Sequence, residues 1–169
     1  MPISPPLFPA HKLLGCSPDD PSIQAWLHTV IPTDHQPLSE LLVKRFSDCT
    51  YYSYKSLGIS FCFVQKKDDV DKSLVLDSID IYNGKTRDGF QPFVGNAYPF
   101  DFTKDTRGHE IVSQLGEPDR KGGGGKTHLP CWIEYKFNDQ DGGGGLFIQL
   151  HGVEWEDRDM GWTSLSLFA

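Results

Sequence analysis

Few residues in this chain are spaced for chemistry, and the best placed of them is a histidine. His151 follows the alternating run Gly145 to Leu150, so it falls on the polar side of a strand, with Glu134 on the strand before it. An imidazole beside a carboxylate is the arrangement of a general base, and Asp80 or Tyr82 would complete it. Packing or solvation is the commoner role of such a histidine, so this set is an alternative to the leading reading. His11, His28, His35, His109 and His128 have no second histidine at ligand spacing, and His109-Glu110 lacks the partner a metalloprotease helix needs. Glu154, Glu156, Asp157 and Asp159 read as a charged turn, because the spaced pattern of a calcium loop is missing. Asp68, Asp69 and Asp71 read the same way.

The four cysteines, Cys16, Cys49, Cys62 and Cys131, are far apart and form no Cys-x-x-Cys, so reduced thiols acting as small buried hydrophobes are expected. No metal and no cofactor is predicted. Gly122 to Gly125 before Lys126-Thr127 is superficially a phosphate loop. However, a helix with a proline exit precedes it, and Leu129-Pro130 cannot open the helix that should follow. This tract and Gly142 to Gly145 read as mobile hairpin loops.

Composition narrows the function classes. At 169 residues with 38% hydrophobic and 12% aromatic content, the chain fits one folded domain or two small units sharing a sheet. A net charge of -7 with scattered Lys and Arg argues against nucleic acid as a partner. The apolar runs are far too short for a membrane span, and the proline-rich start does not read as a signal peptide. A cytoplasmic location is expected from the absence of a targeting segment and the unpaired cysteines.

The elements that must position any site occur twice. Leu14-Gly15-Cys16-Ser17-Pro18-Asp19 is echoed by Leu115-Gly116-Glu117-Pro118-Asp119. Tyr51-Tyr52-Ser53-Tyr54-Lys55 is echoed by Cys131-Trp132-Ile133-Glu134-Tyr135-Lys136, and Gly58-Ile59-Ser60-Phe61-Cys62-Phe63 by Gly145-Leu146-Phe147-Ile148-Gln149-Leu150. Leu76 to Tyr82 and Trp162 to Phe168 supply a third strand in each half. Asp20, Pro21 and the face Ile23, Trp26, Leu27, Val30 predict a helix closed by Pro32. A second helix is expected over 38–46, with Leu38, Leu41, Leu42 and Phe46 as its stripe. Ile111, Val112 and Leu115 give a third, capped by Gly116. The expected architecture is α+β: two helix-plus-antiparallel-meander units forming one antiparallel sheet, with helices packed on one face. Unit one spans 8–82, a connector rich in aromatics spans 83–102, and unit two spans 103–169.

The doubled helix ending in Leu-Gly-x-Pro, the aromatic strand and the meander resemble the tandem-repeat fold of the beta-lactamase inhibitor protein family. They also resemble the single-unit fold of the outer-membrane assembly lipoprotein BamE. The match is better over Thr103 to Phe168 than over the first unit. Leu13 to Gly15, Tyr54 to Ser60 and Leu76 to Ile79 are similar to segments of a group of small, mostly uncharacterised bacterial and fungal proteins. Some members of such groups behave like immunity proteins, so the resemblance implies binding and blocking of a partner. No lipoprotein cysteine accompanies it, and the envelope role of BamE is not implied.

Strand alternation predicts which side does the binding. Ile133, Tyr135 and Phe137, Leu146, Ile148 and Leu150, and Thr163, Leu165 and Leu167 form the core side of unit two. Ile59, Phe61, Phe63, Ile79 and Ile81 form that of unit one. The opposite side carries Tyr51, Ser53, Lys55, Asp80 and Tyr82 from unit one, and Trp132, Glu134, Lys136, Phe147, Gln149, His151 and Trp162 from unit two. That mixture of aromatic, charged and small polar groups suits a protein interface. The leading expectation is therefore a non-enzymatic module that binds an unidentified protein partner, of undetermined oligomeric state. The alternative is a small-molecule site or enzyme with a pocket between sheet and helices and His151 as its base.

Overall fold

The computed structural model describes residues 3, 9–36, 40–141 and 143–169. Leu38, Gly142 and the expected start of unit one at residue 8 lie outside them. The elements are α1 (Pro21–Val30), β1 (Leu42–Arg45), β2 (Cys49–Tyr54), β3 (Ile59–Gln65), β4 (Leu74–Tyr82), α2 (Gly108–Leu115), β5 (Arg120–Gly122), β6 (Trp132–Lys136), β7 (Gly145–Leu150) and β8 (Trp162–Phe168). All eight strands form one antiparallel sheet in the order β1-β2-β3-β4-β8-β7-β6-β5.

That order is a duplication laid out in space. Each half is a helix followed by a four-strand meander, and the last strands of the two halves pair at the centre. The register makes Asp80 and Ser166 direct partners, flanked by Ser78↔Phe168 and Tyr82↔Ser164. An axis through the Asp80/Ser166 pair therefore exchanges the two meanders. It relates Ser60 to Phe147, Ser53 to Glu134, Tyr51 to Trp132 and Leu42 to Arg120.

One face of the sheet is the core. Phe61, Phe63, Leu76, Ile79, Ile81, Ile133, Tyr135, Leu146, Ile148, Leu165 and Leu167 are all buried there. Helix α1 begins where Asp20 Oδ1 accepts from the Ser22 N–H at 2.8 Å, and it buries Ile23, Trp26, Leu27 and Val30. The Trp26 ring stands edge-on to Phe61 with centroids 6.4 Å apart. Helix α2 buries Ile111, and its final carbonyls lie over the same face, where the Tyr135 hydroxyl donates to Gly116 O at 2.8 Å. Both α-helices thus cover one side, and no α-helix among the described residues covers the other.

Of the helix expected over 38–46, the described residues from 40 onward carry strand β1 instead, whose residues Leu42 to Arg45 pair with Ser53 to Thr50. The apolar spacing of Leu41, Leu42 and Phe46 suits a helix, but the Ser47-Asp48 turn after Phe46 folds the segment back on β2. The hairpin closes with Phe46 N–H donating to Cys49 O at 2.8 Å.

The connector does not hang free. Gly58 takes φ +75°, and a Cβ there would meet Gln91 O at 2.4 Å, because the connector crosses directly over this turn. Gln91 and Val94 donate their amides to Lys55 O and Leu57 O. The first tetraglycine tract is likewise no free loop: Gly122 belongs to β5, and Gly124 and Gly125 donate to Leu129 O and Val153 O at 2.7 Å each. Trp155 Nε1 closes it by donating to Gly123 O at 3.1 Å.

Candidate functional site

The helix-free face holds a cleft of about 330 Å³ in the first half of the molecule. Its floor is Tyr51, Ser53, Ser60, Asp80 and Tyr82, contributed by β2, β3 and β4. Leu42 and Lys44 of β1, with Phe46 just after it, wall one side, and Asp88 and Phe90 of the connector wall the other. The duplication explains why the cleft lies in this half. Where β3 presents Ser60, β7 presents Phe147, whose ring stacks on Trp132 at 5.2 Å and fills the corresponding surface. In the first half the floor residues are small, and the space above them stays open.

The floor is a connected set of polar groups. Ser53 and Ser60 are buried, with their hydroxyls 3.2 Å apart. The Ser166 hydroxyl donates to Asp80 Oδ1 across the central strand pair. Asp80 is partly reachable from the cleft yet sits deep in the face, and loss of hydration raises its pKa above the ordinary carboxylate value; the Ser166 bond acts the other way. Burial pushes the Cys62 thiol up to about 11, opposed by a hydrogen bond from Tyr51. Tyr51 is raised first by the neighbouring Cys62 charge and then by its own burial. Tyr82 is raised chiefly by burial, then by Asp80 and Asp88. Around the Asp80 carboxyl the floor therefore offers the Tyr51 and Tyr82 phenols and the Ser53 and Ser60 hydroxyls, donors that do not ionise near neutrality.

The rim carries the charge. Lys55 Nζ donates to Asp88 O and lies 5.6 Å from the Phe90 ring centroid, and Phe90 stacks on Tyr82 at 4.2 Å. Phe46 stands edge-on to Tyr51 at 6.0 Å. Aromatic rings thus brace both walls.

Of the residues singled out from sequence, Tyr51, Ser53, Lys55, Asp80 and Tyr82 converge on this cleft. Trp132, Glu134, Phe147 and Gln149 continue the same face into the second half, each half-buried. Arg120 joins them, 3.5 Å from Glu134 and 5.8 Å from the Trp132 ring. Lys136 is exposed near the outer end of that face. Trp162 does not belong to it. A bulge pairs Gln149 with Ser164 but Leu150 with Trp162, so Thr163 is the extra residue and alternation restarts. Trp162 turns to the core side, 3% exposed, donating Nε1–H to Thr103 O at 2.9 Å under Tyr98. Thr163, expected in the core, is exposed.

The histidine set is also spread out. Glu134 pairs with Phe147, and His151 lies four residues further along that strand's path, roughly 13 Å away at strand rise. Its Nδ1 accepts from the Gly161 N–H at 2.9 Å. Asp80 is three strand spacings from Glu134, about 14 Å. A smaller hollow of about 240 Å³ does open between α1 and the sheet, but it is lined by Ile23, Gln24, Leu41, Tyr52 and Phe63, without His151.

The sequence reading missed β1 and the connector residues Asp88 and Phe90, which make the floor into a cleft. Ser47-Asp48 between two apolar runs was the available sign of a hairpin. All four cysteines are free, no group of His, Cys, Asp and Glu among the described residues could hold a metal ion, and no helix among them is long and apolar enough to cross a membrane. Comparisons with protein families, curated proteins and solved structures find no match to this chain.

Proposed function

We propose that this protein is a binding module that captures a protein partner on its helix-free sheet face, acting by occlusion in the manner of an inhibitor or immunity protein. The observation that carries the reading is the cleft above Ser53, Ser60 and Asp80, set in a face of half-buried Tyr51, Tyr82, Trp132 and Phe147. Half-buried aromatics around a polar pocket are what an interface centre needs: large contact area with little side-chain entropy to lose. Size agrees. Eight strands span roughly 34 Å and five residues roughly 17 Å, so the face offers about 600 Å², near the roughly 800 Å² one partner contributes to a standard complex. The separation of His151, Glu134 and Asp80 favours binding over proton transfer. Four free thiols fit a reducing, cytoplasmic setting.

Ser60→Phe tests this, because it gives the first half the residue that its counterpart Phe147 already supplies, and so fills the cleft with a side chain the fold accommodates. Immobilised full-length protein is incubated with lysate of its source cells, and bound proteins are quantified by mass spectrometry. A partner retained by wild type and by Val70→Ser, which alters a distant exposed loop, is expected to be lost from Ser60→Phe and Trp132→Ala. Recovery of the same proteins at the same level from all four, with unchanged circular dichroism, would overturn the proposal.

A further inference from the structure

Strand β1 ends the sheet, and its register states which of its backbone groups are free. Phe46 N–H bonds to Cys49 O, so the pairs Phe46/Cys49, Lys44/Tyr51 and Leu42/Ser53 are the hydrogen-bonded ones. By alternation the N–H and C=O of Val43 and Arg45 point away from β2, toward a side on which no strand of the described residues pairs with them. The other edge strand, β5, is only three residues long, and beyond it Ile3 extends the cover of β6's side, donating to Lys136 O and accepting from the Asn138 N–H.

The exposed side chains concentrate at the same place. Leu41, Leu42 and Phe46 are 40%, 39% and 57% exposed, three of the five large hydrophobics exposed among the described residues. Natural edge strands are usually short, charged or covered. This one is short, yet it keeps apolar groups in water on both sides of the strand. Hollows flank it as well, the Asp80 cleft on one face and the opening beside α1 on the other.

Charge identifies the occupant. Lys44 and Arg45 are exposed, and neither has a carboxylate within ion-pair distance among the described residues, in a chain of net charge -7. Glu40 and Asp48 stand outside the two ends of β1, so the paired-strand portion itself is positive. A second copy would gather four cations, Lys44 and Arg45 from each strand, along one seam with no carboxylate inside it, which disfavours self-pairing.

We infer that β1 accepts an added strand: an extended acidic segment of a partner protein, with carboxylates opposite Lys44 and Arg45 and apolar side chains against Leu41, Leu42 and Phe46. Backbone bonds to Val43 and Arg45 supply affinity, and the alternate side chains supply selectivity. This stands on the edge itself and survives if the Asp80 cleft proves empty.

The probe is a fluorescein-labelled hexapeptide Val-Glu-Glu-Val-Val-Val, whose two consecutive glutamates stand opposite Arg45 and Lys44 in antiparallel pairing and whose valines meet Phe46, Leu42 and Leu41; it is titrated into the full-length protein by fluorescence anisotropy. A lysine-for-glutamate version and a version N-methylated at alternate residues serve as comparisons. Saturable binding of the acidic peptide is expected, weakened by added salt and by Lys44→Glu. Val43→Pro removes an edge-facing donor that no strand of the fold uses, and should weaken binding about tenfold while leaving the melting temperature near that of wild type. Should that variant fail to fold, amide exchange on wild type decides: Val43 and Arg45 must slow when the acidic peptide is bound. Equal affinity for the lysine or N-methylated peptide, unchanged exchange at Val43 and Arg45, or no binding at all would overturn the inference. So would self-association of the wild type that Lys44→Glu strengthens, since the occupant would then be a second copy.

Discussion

Asp80→Asn should make stability less dependent on pH, in a direction that follows from where the carboxyl sits. The native pKa of Asp80 is raised by its loss of hydration in the sheet face, while the unfolded chain returns it to about 3.9. Native protein therefore holds this proton more tightly than unfolded protein does. Its contribution to stability is fully present below the unfolded value and is lost as pH rises through the native one, after which it is flat. One proton is at stake, so the wild type should lose at most about 1.4 kcal/mol per pH unit within that window. The asparagine keeps an oxygen for the Ser166 hydroxyl and has no charge to desolvate. Urea unfolding from pH 4 to 8 measures the difference between the two proteins, which should be smallest near pH 4 and widen in favour of Asn before levelling. Asp20 and Asp69 are shifted down by hydrogen bonds and act with the opposite sign, but both proteins share them and their effect cancels. Ser166→Ala removes the bond that holds the Asp80 value down, so its window should extend to higher pH. A difference that stays constant across the range, or a window that retreats in Ser166→Ala, would refute the reasoning.

Trp162 and Trp132 should separate cleanly under alanine substitution. Trp162→Ala empties a buried site and strands Thr103 O, costing about 3–5 kcal/mol by urea unfolding, whereas Trp132→Ala loses a half-buried stack for about 1–2 kcal/mol. Equal losses would mean that the bulge does not divert Trp162 to the core. Gly58→Ala demands a positive φ and drives a methyl into Gln91 O, for a cost of about 1–3 kcal/mol. Its distinguishing readout is hydrogen exchange, where the amides of Gln91 and Val94 should lose protection as the connector lifts from the hairpin.

Whether a feature could be read in advance turned on whether short-range pattern or a single irregularity decided it. Asp20-Pro21 announced α1, and the period-two runs around Phe61 and Ile148 announced central strands, because capping and pleating act within a few residues. The repeated Gly58-Ile59 and Gly145-Leu146 stretches do occupy equivalent positions, so the duplication was legible as well. Trp162 was not, since one extra residue at Thr163 reverses the face of everything before it, and alternation has no means of signalling a bulge. Leu41, Leu42 and Phe46 misled for another reason. Their spacing is helical, but two residues of turn chemistry and an available partner strand outweigh propensity in so short a segment. The floor of the cleft was foreseen as Tyr51, Ser53, Asp80 and Tyr82, while its walls depended on long-range contacts of β1 and the connector.

The pair at the centre of the sheet shows why the halves had to differ. A position on the axis of a duplicated sheet meets its own equivalent, so identical residues there would stand side by side. Two aspartates so placed would set like charges directly across a strand pair in a face already starved of water, and one would have to stay protonated. Aspartate opposite serine removes the conflict, since a hydroxyl donates where a second carboxylate would repel. The same asymmetry then runs outward along that row: serines beside Asp80 leave a cleft, while Phe147 and Glu134 beside Ser166 leave a filled surface with a cationic neighbour in Arg120. The face therefore holds a recess in one half and a ridge in the other, so the binding proposed above requires the two ends of a partner to be told apart, although the backbone beneath is close to symmetric.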